Sequence, residues 1–228
     1  MLYAIGDTHL SLETDKPMDI FGGWDDYIER LEAGFSCLCD GDVCVICGDI
    51  SWGMSLEKCT ADFKFLDKFP GKKIILKGNH DYWWSTVSKA QKFFAENNIK
   101  SISFLNNNCY FYGNTAICGT RGWFYEEETG GEHDKKILRR ELMRLETSLK
   151  AAGDAERKLC FLHYPPLYND YVCPEMIELM KKYGVSECWY GHIHGPGRKL
   201  AVERTIDGIS YHLVSADHIG FKPQKIME

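Results

Sequence analysis

Residues 73–81 read Lys-Ile-Ile-Leu-Lys-Gly-Asn-His-Asp, an apolar run that ends abruptly in a glycine and three polar residues. A short aliphatic run that stops at glycine predicts a buried strand over residues 73–77, with the polar residues on the loop at its carboxyl end. Open α/β sheets bind their ligands outside the carboxyl ends of the strands. The sequence therefore places Asn79, His80 and Asp81 at the position where this class of fold has its ligand-binding and active sites.

Four other segments repeat this design, in which an apolar strand is followed by residues that can bind a metal. They are residues 1–5 before Gly6-Asp7-Thr8-His9, residues 43–47 before Gly48-Asp49, residues 158–162 before His163, and residues 188–190 before Gly191-His192-Ile193-His194. Carboxylate, amide and imidazole side chains are ligands that divalent cations accept. We expect all five strand ends to converge on one metal centre.

Length and charge limit the class of protein. The 228 residues suit one domain, residues 1–228, large enough to bury about 70–75% of the surface of its unfolded chain. The net charge of −6 argues against bulk binding to nucleic acid or to an anionic membrane, although it leaves room for a local positive site. We expect a cytoplasmic protein, because the first strand leaves no room for a signal peptide and no apolar run has transmembrane length.

The ten cysteines are expected to be reduced thiols, because disulfide frameworks are rare in cytosolic chains of this length. Cys37, Cys39, Cys44 and Cys47 resemble a zinc or iron–sulfur motif. Cys44 and Cys47 lie in one predicted strand, however, and an odd spacing points their side chains to opposite faces of the sheet. We therefore interpret them as small core residues.

In the first half of the chain, predicted helices alternate with predicted strands. In the second half, short strands joined by hairpin turns follow. Apolar residues at spacings of three and four predict helices over residues 24–38, 56–66 and 87–94. From residue 99 the strands become short, and Gly113-Asn114 predicts a two-residue hairpin turn. Residues 120–134 predict a long loop, which a helix capped by Asp134 follows. A helix over 176–183 and a closing hairpin around Asp207-Gly208 complete the chain.

The five strand ends read Asp-x-His, Gly-Asp, Gly-Asn-His-Asp, His and Gly-His-x-His. In identity, order and approximate spacing they resemble the motifs of the calcineurin-like metallophosphoesterases over residues 5–195, and eight residues of ligand type coincide. The resemblance implies an α/β fold, a four-layer αββα sandwich of two mixed β-sheets flanked by helices. It also implies a dinuclear metal-dependent phosphoesterase that hydrolyses a phosphomonoester or phosphodiester, with a metal-bridging hydroxide as nucleophile.

The resemblance further implies two ligand sets that share one carboxylate. They are Asp7, His9, Asp49 and His194 for one metal, and Asp49, Asn79, His163 and His192 for the other. We interpret the shared residue as a carboxylate because an anion with two oxygens can bridge two cations about 4 Å apart. Nitrogen and oxygen donors without thiolate suit two divalent transition-metal ions, of manganese, iron, zinc, cobalt or nickel. Such a centre has a local positive charge that attracts phosphate.

His80 and Asp81 are predicted to be catalytic residues beside the metals. In this interpretation Asp81 hydrogen-bonds the His80 ring and raises its pKa, so that an imidazolium protonates the leaving group. Arg121 lies between two glycines and either contacts phosphate oxygens or forms a salt bridge, for which 126–128 offer glutamates. We keep both interpretations of Arg121 open.

Aromatic residues crowd the same loops and either shield the metals or bind a base or acyl group of the substrate. They are Trp52, Trp83, Trp84, Trp123, Phe124, Tyr125, Tyr164 and Tyr168. His133, His212 and His218 lie outside the motifs and are interpreted as ordinary loop or core residues. Asp217 lies near the end of the last predicted strand and could approach the site, but its spacing indicates no role.

Two alternatives to an ester hydrolase of small molecules stay open. A non-catalytic scaffold of this fold is expected to lack one or more ligands, and this chain lacks none. A nuclease of the same family is expected to carry a basic stripe, which the composition does not show. We expect a phosphorylated small-molecule or nucleotide substrate, with neither bulk nucleic acid nor membrane as a partner. The oligomeric state has no signal in the sequence.

Overall fold

A computed structural model describes residues 1–123 and 131–228 and contains two large mixed sheets with helices. The strands are β1 (Leu2–Ile5), β2 (Val43–Ile46), β3 (Lys72–Ile75), β4 (Ile102–Phe104), β5 (Tyr110–Tyr112), β6 (Thr115–Thr120), β7 (Arg157–Leu162), β8 (Leu167–Tyr168), β9 (Tyr171–Val172), β10 (Val185–Tyr190), β11 (Thr205–Ile206), β12 (Ile209–Leu213) and β13 (Gln224–Met227). The helices are α1 (Tyr27–Phe35), α2 (Thr60–Asp67), α3 (Val87–Glu96), α4 (Glu132–Ala151) and α5 (Pro174–Lys182), with 3-10 turns at Glu57–Cys59 and Gly195–Leu200.

The first sheet has the order β13-β1-β2-β3-β4. Strands β1 to β4 are parallel, and α1, α2 and α3 make the connections between them, as parallel pairing requires. Strand β13 pairs antiparallel with β1 and closes the edge. Because the four parallel strands all end at the same edge, the loops after β1, β2 and β3 meet there.

The second sheet has the order β11-β12-β10-β7-β6-β5. Its four central strands are parallel, and the outer strands β5 and β11 pair antiparallel with their neighbours. Tyr112 pairs with Thr115, so Gly113-Asn114 forms the predicted two-residue turn. Helix α4 connects β6 to β7, and α5 lies between β9 and β10.

The buried side chains form three clusters that define four layers. One cluster joins the first sheet to α1, α2 and α3, and another joins the second sheet to α4 and α5. The third cluster contains Val45 of the first sheet and Phe161 of the second, so the two sheets pack face to face. The predicted four-layer αββα sandwich of two mixed sheets is confirmed. Cys44 packs toward the helices and Cys47 between the sheets, as their odd spacing predicts.

The structure differs from the sequence prediction mainly at the ends of elements and at the carboxyl terminus. Strand β13 was not predicted, because its exposed and half-buried residues have no clear alternation. Asp134 is not the cap of α4 but its third residue, where its carboxylate accepts a hydrogen bond from the amide of Gly131. All ten cysteines are free thiols. Among the residues that the structure describes, no helix has the length and apolar character to cross a bilayer.

Candidate metal centre

The seven predicted metal ligands meet at the carboxyl ends of strands from both sheets. The sheets touch there, because the Gly6 amide after β1 donates to the Val214 carbonyl after β12 at 2.6 Å. Two groups of possible ligand atoms result, each with its atoms within 4.8 Å of one another. They are Asp7, His9 and His194 in the first group, and Asp49, His163 and His192 in the second.

Four of these residues have a backbone conformation that side chains disfavour. Asp7, His9, Asp49 and His192 have φ angles of 58°, 43°, 50° and 73°, in the left-handed region. Each residue lies on a loop that follows a strand of one of the two sheets. Strain of this kind persists where surrounding contacts fix it, and it concentrates at functional sites.

Two glycines allow the ligands to approach one another. A Cβ atom on Gly78 would lie 2.0 Å from Asp49 Oδ1, and one on Gly191 would lie 2.5 Å from Asp7 Oδ2. Both contacts are far below van der Waals distance, so any side chain at these positions would displace a carboxylate. This explains why glycine precedes the ligands in Gly-Asn-His-Asp and Gly-His-x-His.

In the first group, ring nitrogens of His9 and His194 and a carboxylate oxygen of Asp7 surround a common space. The Nε2 atoms of His9 and His194 lie 3.2 Å apart, and His194 Nε2 lies 3.5 Å from Asp7 Oδ1. Both oxygens of Asp7 accept hydrogen bonds from the His192 amide, at 3.0 and 2.9 Å. Asp7 therefore connects the loop of one sheet to the loop of the other.

Asp49 faces both groups with one and the same oxygen atom. Its Oδ2 atom lies 3.8 Å from His9 Nε2 and 3.6 Å from His163 Nε2. Its Oδ1 atom accepts a hydrogen bond from the His80 amide at 2.7 Å. The sequence argument invoked a carboxylate with two oxygens, and in the structure Oδ2 lies near a nitrogen of each group. One carboxylate oxygen has lone pairs enough for two partners.

Asn79 completes the second group with a neutral oxygen. Its Oδ1 atom lies 2.6 Å from His163 Nε2. The other ring nitrogen of His163, Nδ1, lies 2.9 Å from the Cys47 carbonyl, which fixes the ring with Nε2 toward the group. The structure thus brings together all seven side chains that the sequence predicts as ligands.

Asp217 orients a ligand that the sequence argument did not connect to it. Its Oδ1 atom lies 3.4 Å from His194 Nδ1, and its Oδ2 atom accepts a hydrogen bond from the Gly195 amide at 2.9 Å. A carboxylate behind a histidine fixes the tautomer and directs the opposite nitrogen toward a metal. The only signal in the sequence was the position of Asp217 just beyond β12.

Comparison with known proteins agrees with this geometry. The family model of the calcineurin-like phosphoesterases matches residues 2–196. The chain belongs to the calcineurin-like phosphoesterase family. Membership supports a metal-binding hydrolase, and the two ligand groups lie where such metals would bind. No curated protein sequence matches the chain.

Solved structures with the same fold have low sequence identity to this family member. The phosphopantetheinyl hydrolase of Mycobacterium tuberculosis aligns with a TM-score of 0.62 and 14% identity, over 94% of this chain and 88% of that one. A protein of unknown function from Aquifex aeolicus aligns with a TM-score of 0.51 and 14% identity, over 98% of this chain and 94% of that one. At such identities the likeness shows the fold alone.

The electrostatics of the ligands fit divalent cations. Burial, followed by the charge of Asp7, raises the pKa of Asp49 to about 8. Burial and neighbouring histidines lower the pKa of His9, and they lower that of His192 to about 3. Both rings are therefore neutral, which is the form that binds metals. Neutral imidazoles and a buried carboxylate form a suitable environment for a cation. A bound cation would favour the ionised form of Asp49, which burial alone disfavours.

His194 differs from the other ligand histidines. Although burial lowers its pKa, the carboxylates of Asp7 and Asp217 outweigh that effect and raise the pKa to about 10. In the metal-free protein the His194 imidazolium lies between these two buried carboxylates, and Arg198 Nε also lies 3.3 Å from Asp217 Oδ2. A cation bound to Nε2 would supply that positive charge instead.

The predicted contact between Asp81 and the His80 ring is wrong. Asp81 is fully buried, and its carboxylate accepts hydrogen bonds from the amides of Gly78, Asp49 and Ile50 at 2.7 to 2.9 Å. It is thus a positioning residue, which ties the loop after β2 to the loop after β3. The spacing could not show this, because adjacent residues on a tight loop point in different directions.

The His80 ring lies in the site but is not an imidazolium. Its centroid lies 5.8 Å from that of His9, and Nδ1 lies 3.3 Å from the Tyr82 hydroxyl. Burial, followed by the charge of His163, lowers the pKa of His80 to about 4. The sequence argument expected the pKa of His80 to be raised by a hydrogen bond to the Asp81 carboxylate. That carboxylate is bonded to backbone amides instead.

Arg121 lies next to the second ligand group and contacts a buried carboxylate. Its carbonyl accepts hydrogen bonds from the amides of His163 and Tyr164, at 3.1 and 2.9 Å. Its Nη2 atom lies 3.7 Å from Glu141 Oε1, while its buried Nε atom has no hydrogen-bond partner in the part of the chain that the structure describes. The glutamates at 126–128 lie outside the described residues. The salt-bridge interpretation therefore holds in part, with a different carboxylate.

An aromatic cavity of about 440 Å³ opens on the first ligand group. Metal-site histidines and apolar side chains line it together, and they include His9, His80, His194, Met18, Trp24 and Trp52. Trp52 stacks on His9 with ring centroids 4.9 Å apart and lies 4.4 Å from His80. Trp52 accordingly both packs on a ligand and faces the cavity.

The remaining aromatic residues have mixed positions. Trp83 is buried, and its indole nitrogen donates to Asp81 Oδ1 at 3.0 Å, so it supports the metal loop. Tyr164 packs against His192 at 4.5 Å, and the Tyr168 hydroxyl donates to the Gly197 carbonyl at 3.2 Å. Phe124 and Tyr125 lie outside the described residues.

The histidines outside the motifs have partners of their own. His212 stacks on Trp189 with centroids 4.0 Å apart. His218 pairs with Glu203 at 3.1 Å. His133 is exposed on α4. None of these three joins either ligand group of the described chain.

Proposed function

We propose that this protein is a dinuclear metal-dependent phosphoesterase, with one ion held by Asp7, His9, Asp49 and His194. The second ion is held by Asp49, Asn79, His163 and His192. The observation that carries the proposal is the position of Asp49 Oδ2, which faces a nitrogen ligand of each group at 3.6 to 3.8 Å. A buried carboxylate oxygen shared in this way suits a pair of cations.

Two divalent transition-metal ions at this site supply Lewis acidity, which activates water and neutralises the charge that develops on a phosphoryl group. The substrate is proposed to lie between the aromatic cavity and Arg121, which contacts the second ligand group through the His163 amide. His192 and His194 are presented by one loop, which Asp7 fixes through the His192 amide. Such a preorganised set loses little energy to rearrangement during the reaction.

His80 is proposed to act as a neutral hydrogen-bonding group toward the phosphoryl or leaving-group oxygen. Burial and the charge of His163 lower its pKa to about 4 in the metal-free protein, which favours the neutral ring near neutral pH. A neutral ring can still donate a hydrogen bond from one nitrogen. Its Nδ1 atom lies beside the Tyr82 hydroxyl, which leaves the opposite nitrogen to serve the substrate. Asp81 supports His80 only indirectly, through the backbone of the loop.

The two alternatives receive less support. A non-catalytic scaffold would not need seven assembled ligands, and all seven meet here. A nuclease would need a basic stripe to follow a nucleic-acid backbone. The described lining of the aromatic cavity at the first ligand group consists of histidines and apolar residues, with neither lysine nor arginine. We therefore propose a phosphorylated small molecule or nucleotide as the substrate, hydrolysed in the cytoplasm.

The deciding experiment is hydrolysis by the metal-reconstituted protein. The protein is stripped with a chelator, loaded with Mn²⁺, Fe²⁺, Co²⁺, Ni²⁺ or Zn²⁺, and assayed on bis(4-nitrophenyl) phosphate and 4-nitrophenyl phosphate. We expect metal-dependent release of 4-nitrophenolate from at least one ester, and the ratio of the two rates gives the bond type. Asp49→Asn is the matched inactive control. Absence of hydrolysis with every metal, in a protein that binds two ions, would favour the scaffold.

A further inference from the structure

A second cavity, of about 270 Å³, contains three basic side chains and one acidic side chain. They are Lys77, Arg121, Arg144 and Glu141, which line it with the residues at the start of α3. At about 30 Å³ per water molecule, this volume holds roughly nine waters, so a phosphate group with some water fits. The cavity is therefore a basic compartment large enough for an anion.

This cavity adjoins the metal centre through the backbone. Lys77 precedes the metal ligand Asn79 by two residues, so their Cα atoms lie within about 7 Å of one another. On the other side, the Arg121 carbonyl accepts the amide hydrogen bond of the ligand His163 at 3.1 Å. The loops that carry Asn79 and His163 are thus joined to residues that line the basic cavity, which puts the cavity beside the metal centre.

The charges in the cavity do not balance. Glu141 is fully buried and contacts Arg144 Nη1 at 2.6 Å and Arg121 Nη2 at 3.7 Å, and its other oxygen accepts from the Thr120 hydroxyl at 2.6 Å. Among the described side chains that line the cavity, three basic groups face one carboxylate. A structural ion pair for Glu141 needs only one of the arginines.

An unsatisfied donor points to the same conclusion. The Nε atom of Arg121 is buried and has no hydrogen-bond partner among residues 1–123 and 131–228. Buried polar atoms without partners are few in native proteins, and each calls for a ligand or another explanation. Guanidinium groups bind phosphate oxygens with paired hydrogen bonds, and hydroxyls of Ser85 and Thr86 line the same cavity.

We propose that this cavity binds a second phosphate group of the substrate while the ester is cleaved at the metal centre. The inference rests on the proposed phosphoesterase function and narrows its substrate class to compounds with two phosphate groups separated by a few bonds. Lys77 and Arg144 become specificity-determining residues, and Arg121 positions the group nearest to the metals. The acidic net charge of the chain does not oppose this, because the attraction is local.

The first test measures binding and does not depend on activity. Inorganic phosphate is titrated by calorimetry into the chelator-treated protein, in which no metal ion is left to bind the anion. Arg144→Gln is expected to weaken phosphate binding about tenfold, and Arg139→Gln, an exposed arginine of the same helix, to leave it unchanged. Lys77→Gln serves as a second variant if Arg144→Gln unfolds. No phosphate binding by the wild type, or equal binding by all variants, overturns the site.

The second test uses the metal-loaded enzyme. Thymidine 5′-phosphate and thymidine 3′,5′-bisphosphate are compared as competitive inhibitors of aryl ester hydrolysis. We expect the bisphosphate to inhibit at about tenfold lower concentration, and Arg144→Gln to abolish that difference. Equal inhibition by both nucleotides in an active enzyme overturns the substrate class. If no ester is hydrolysed, the proposed function fails instead, and the phosphate titration still decides whether the cavity binds an anion.

Discussion

Replacing Asp49 by asparagine is expected to stabilise the metal-free protein, although it removes a metal ligand. Burial, followed by the charge of Asp7, raises the pKa of Asp49 to about 8 from its ordinary value of 3.8. A raised carboxyl pKa means that folding favours the protonated form, so stability falls as the pH rises from about 4 to about 8. Asparagine has no such charge, and its amide oxygen can keep the 2.7 Å hydrogen bond from the His80 amide.

The size of this effect follows from the width of the pH window. At pH 7 the solution lies about three pH units above the ordinary pKa, and each unit corresponds to about 1.36 kcal/mol. The gain in the free energy of unfolding is therefore at most about 4 kcal/mol. Rearrangement around the buried carboxylates of Asp7 and Asp49 reduces it toward about 1 kcal/mol. The difference should become small near pH 3, about one unit below the ordinary pKa of 3.8, where Asp49 is protonated in the folded state and largely so in the unfolded state.

The assay is urea unfolding of both proteins with a chelator present, at pH 5, 6, 7 and 8. We expect the free energy of unfolding of Asp49→Asn to exceed that of the wild type by an amount that grows with pH. Glu146→Gln is a control of opposite sign, because hydrogen bonds from Lys182 and Tyr183 lower the pKa of Glu146 to about 2. That variant loses a favourable charge and should not gain stability as the pH rises.

Metal addition should reverse the order of the two proteins. An ion at a hundred times its dissociation constant stabilises a protein by about 2.7 kcal/mol. The wild type should gain this stability with Mn²⁺, while Asp49→Asn should not, because Asp49 Oδ2 faces both ligand groups. An Asp49→Asn protein that is less stable than the wild type at every pH without metal would refute the electrostatic reasoning. Equal stabilisation of both proteins by Mn²⁺ would refute the shared ligand.

Three further predictions concern residues around the ions. Asp217→Asn should weaken binding of one metal ion about 10- to 100-fold and spare the other, and calorimetry that finds both affinities unchanged would contradict its positioning role. His80→Ala should keep two ions by elemental analysis while kcat falls about 10²- to 10³-fold, so loss of an ion would reassign His80 as a ligand. Trp52→Ala should raise KM about tenfold for an aryl ester and less for an alkyl ester, and an equal change for both would place the leaving group outside the aromatic cavity.

The sequence predicts which side chains lie together, because the carboxyl ends of parallel strands meet at one edge of a sheet. That these side chains bind metal ions is what the family resemblance implies. Parallel strands end at one edge of a sheet, so residues directly after β1, β2, β3, β7 and β10 must lie near one another. Glycines before Asn79 and His192 added a local signal, and the structure explains them by the close approach of the Asp49 and Asp7 carboxylates. No tertiary detail was needed for these residues.

The roles of Asp81 and Asp217 could not be predicted in the same way. Asp81 is next to His80 in the chain, but its carboxylate turns to the amides of another loop. Asp217 is distant from His194 in the chain, and only the pairing of β12 with β10 brings the two together. Hydrogen bonds between loops depend on side-chain directions at strained positions, which a spacing pattern does not contain.

The metal centre is assembled at a cost to the fold, and this explains why its parts depend on one another. Three features destabilise the metal-free chain. They are the left-handed backbone of the candidate ligands, the buried Asp49 carboxyl with its raised pKa, and histidines that burial holds neutral. Asp81 offsets part of this cost by joining the loops after β2 and β3, and Asp7 does so by joining the two sheets. Bound cations would offset the rest, because they convert the carboxylate repulsion into attraction. Metal affinity and folding stability are therefore expected to be coupled through the same few side chains.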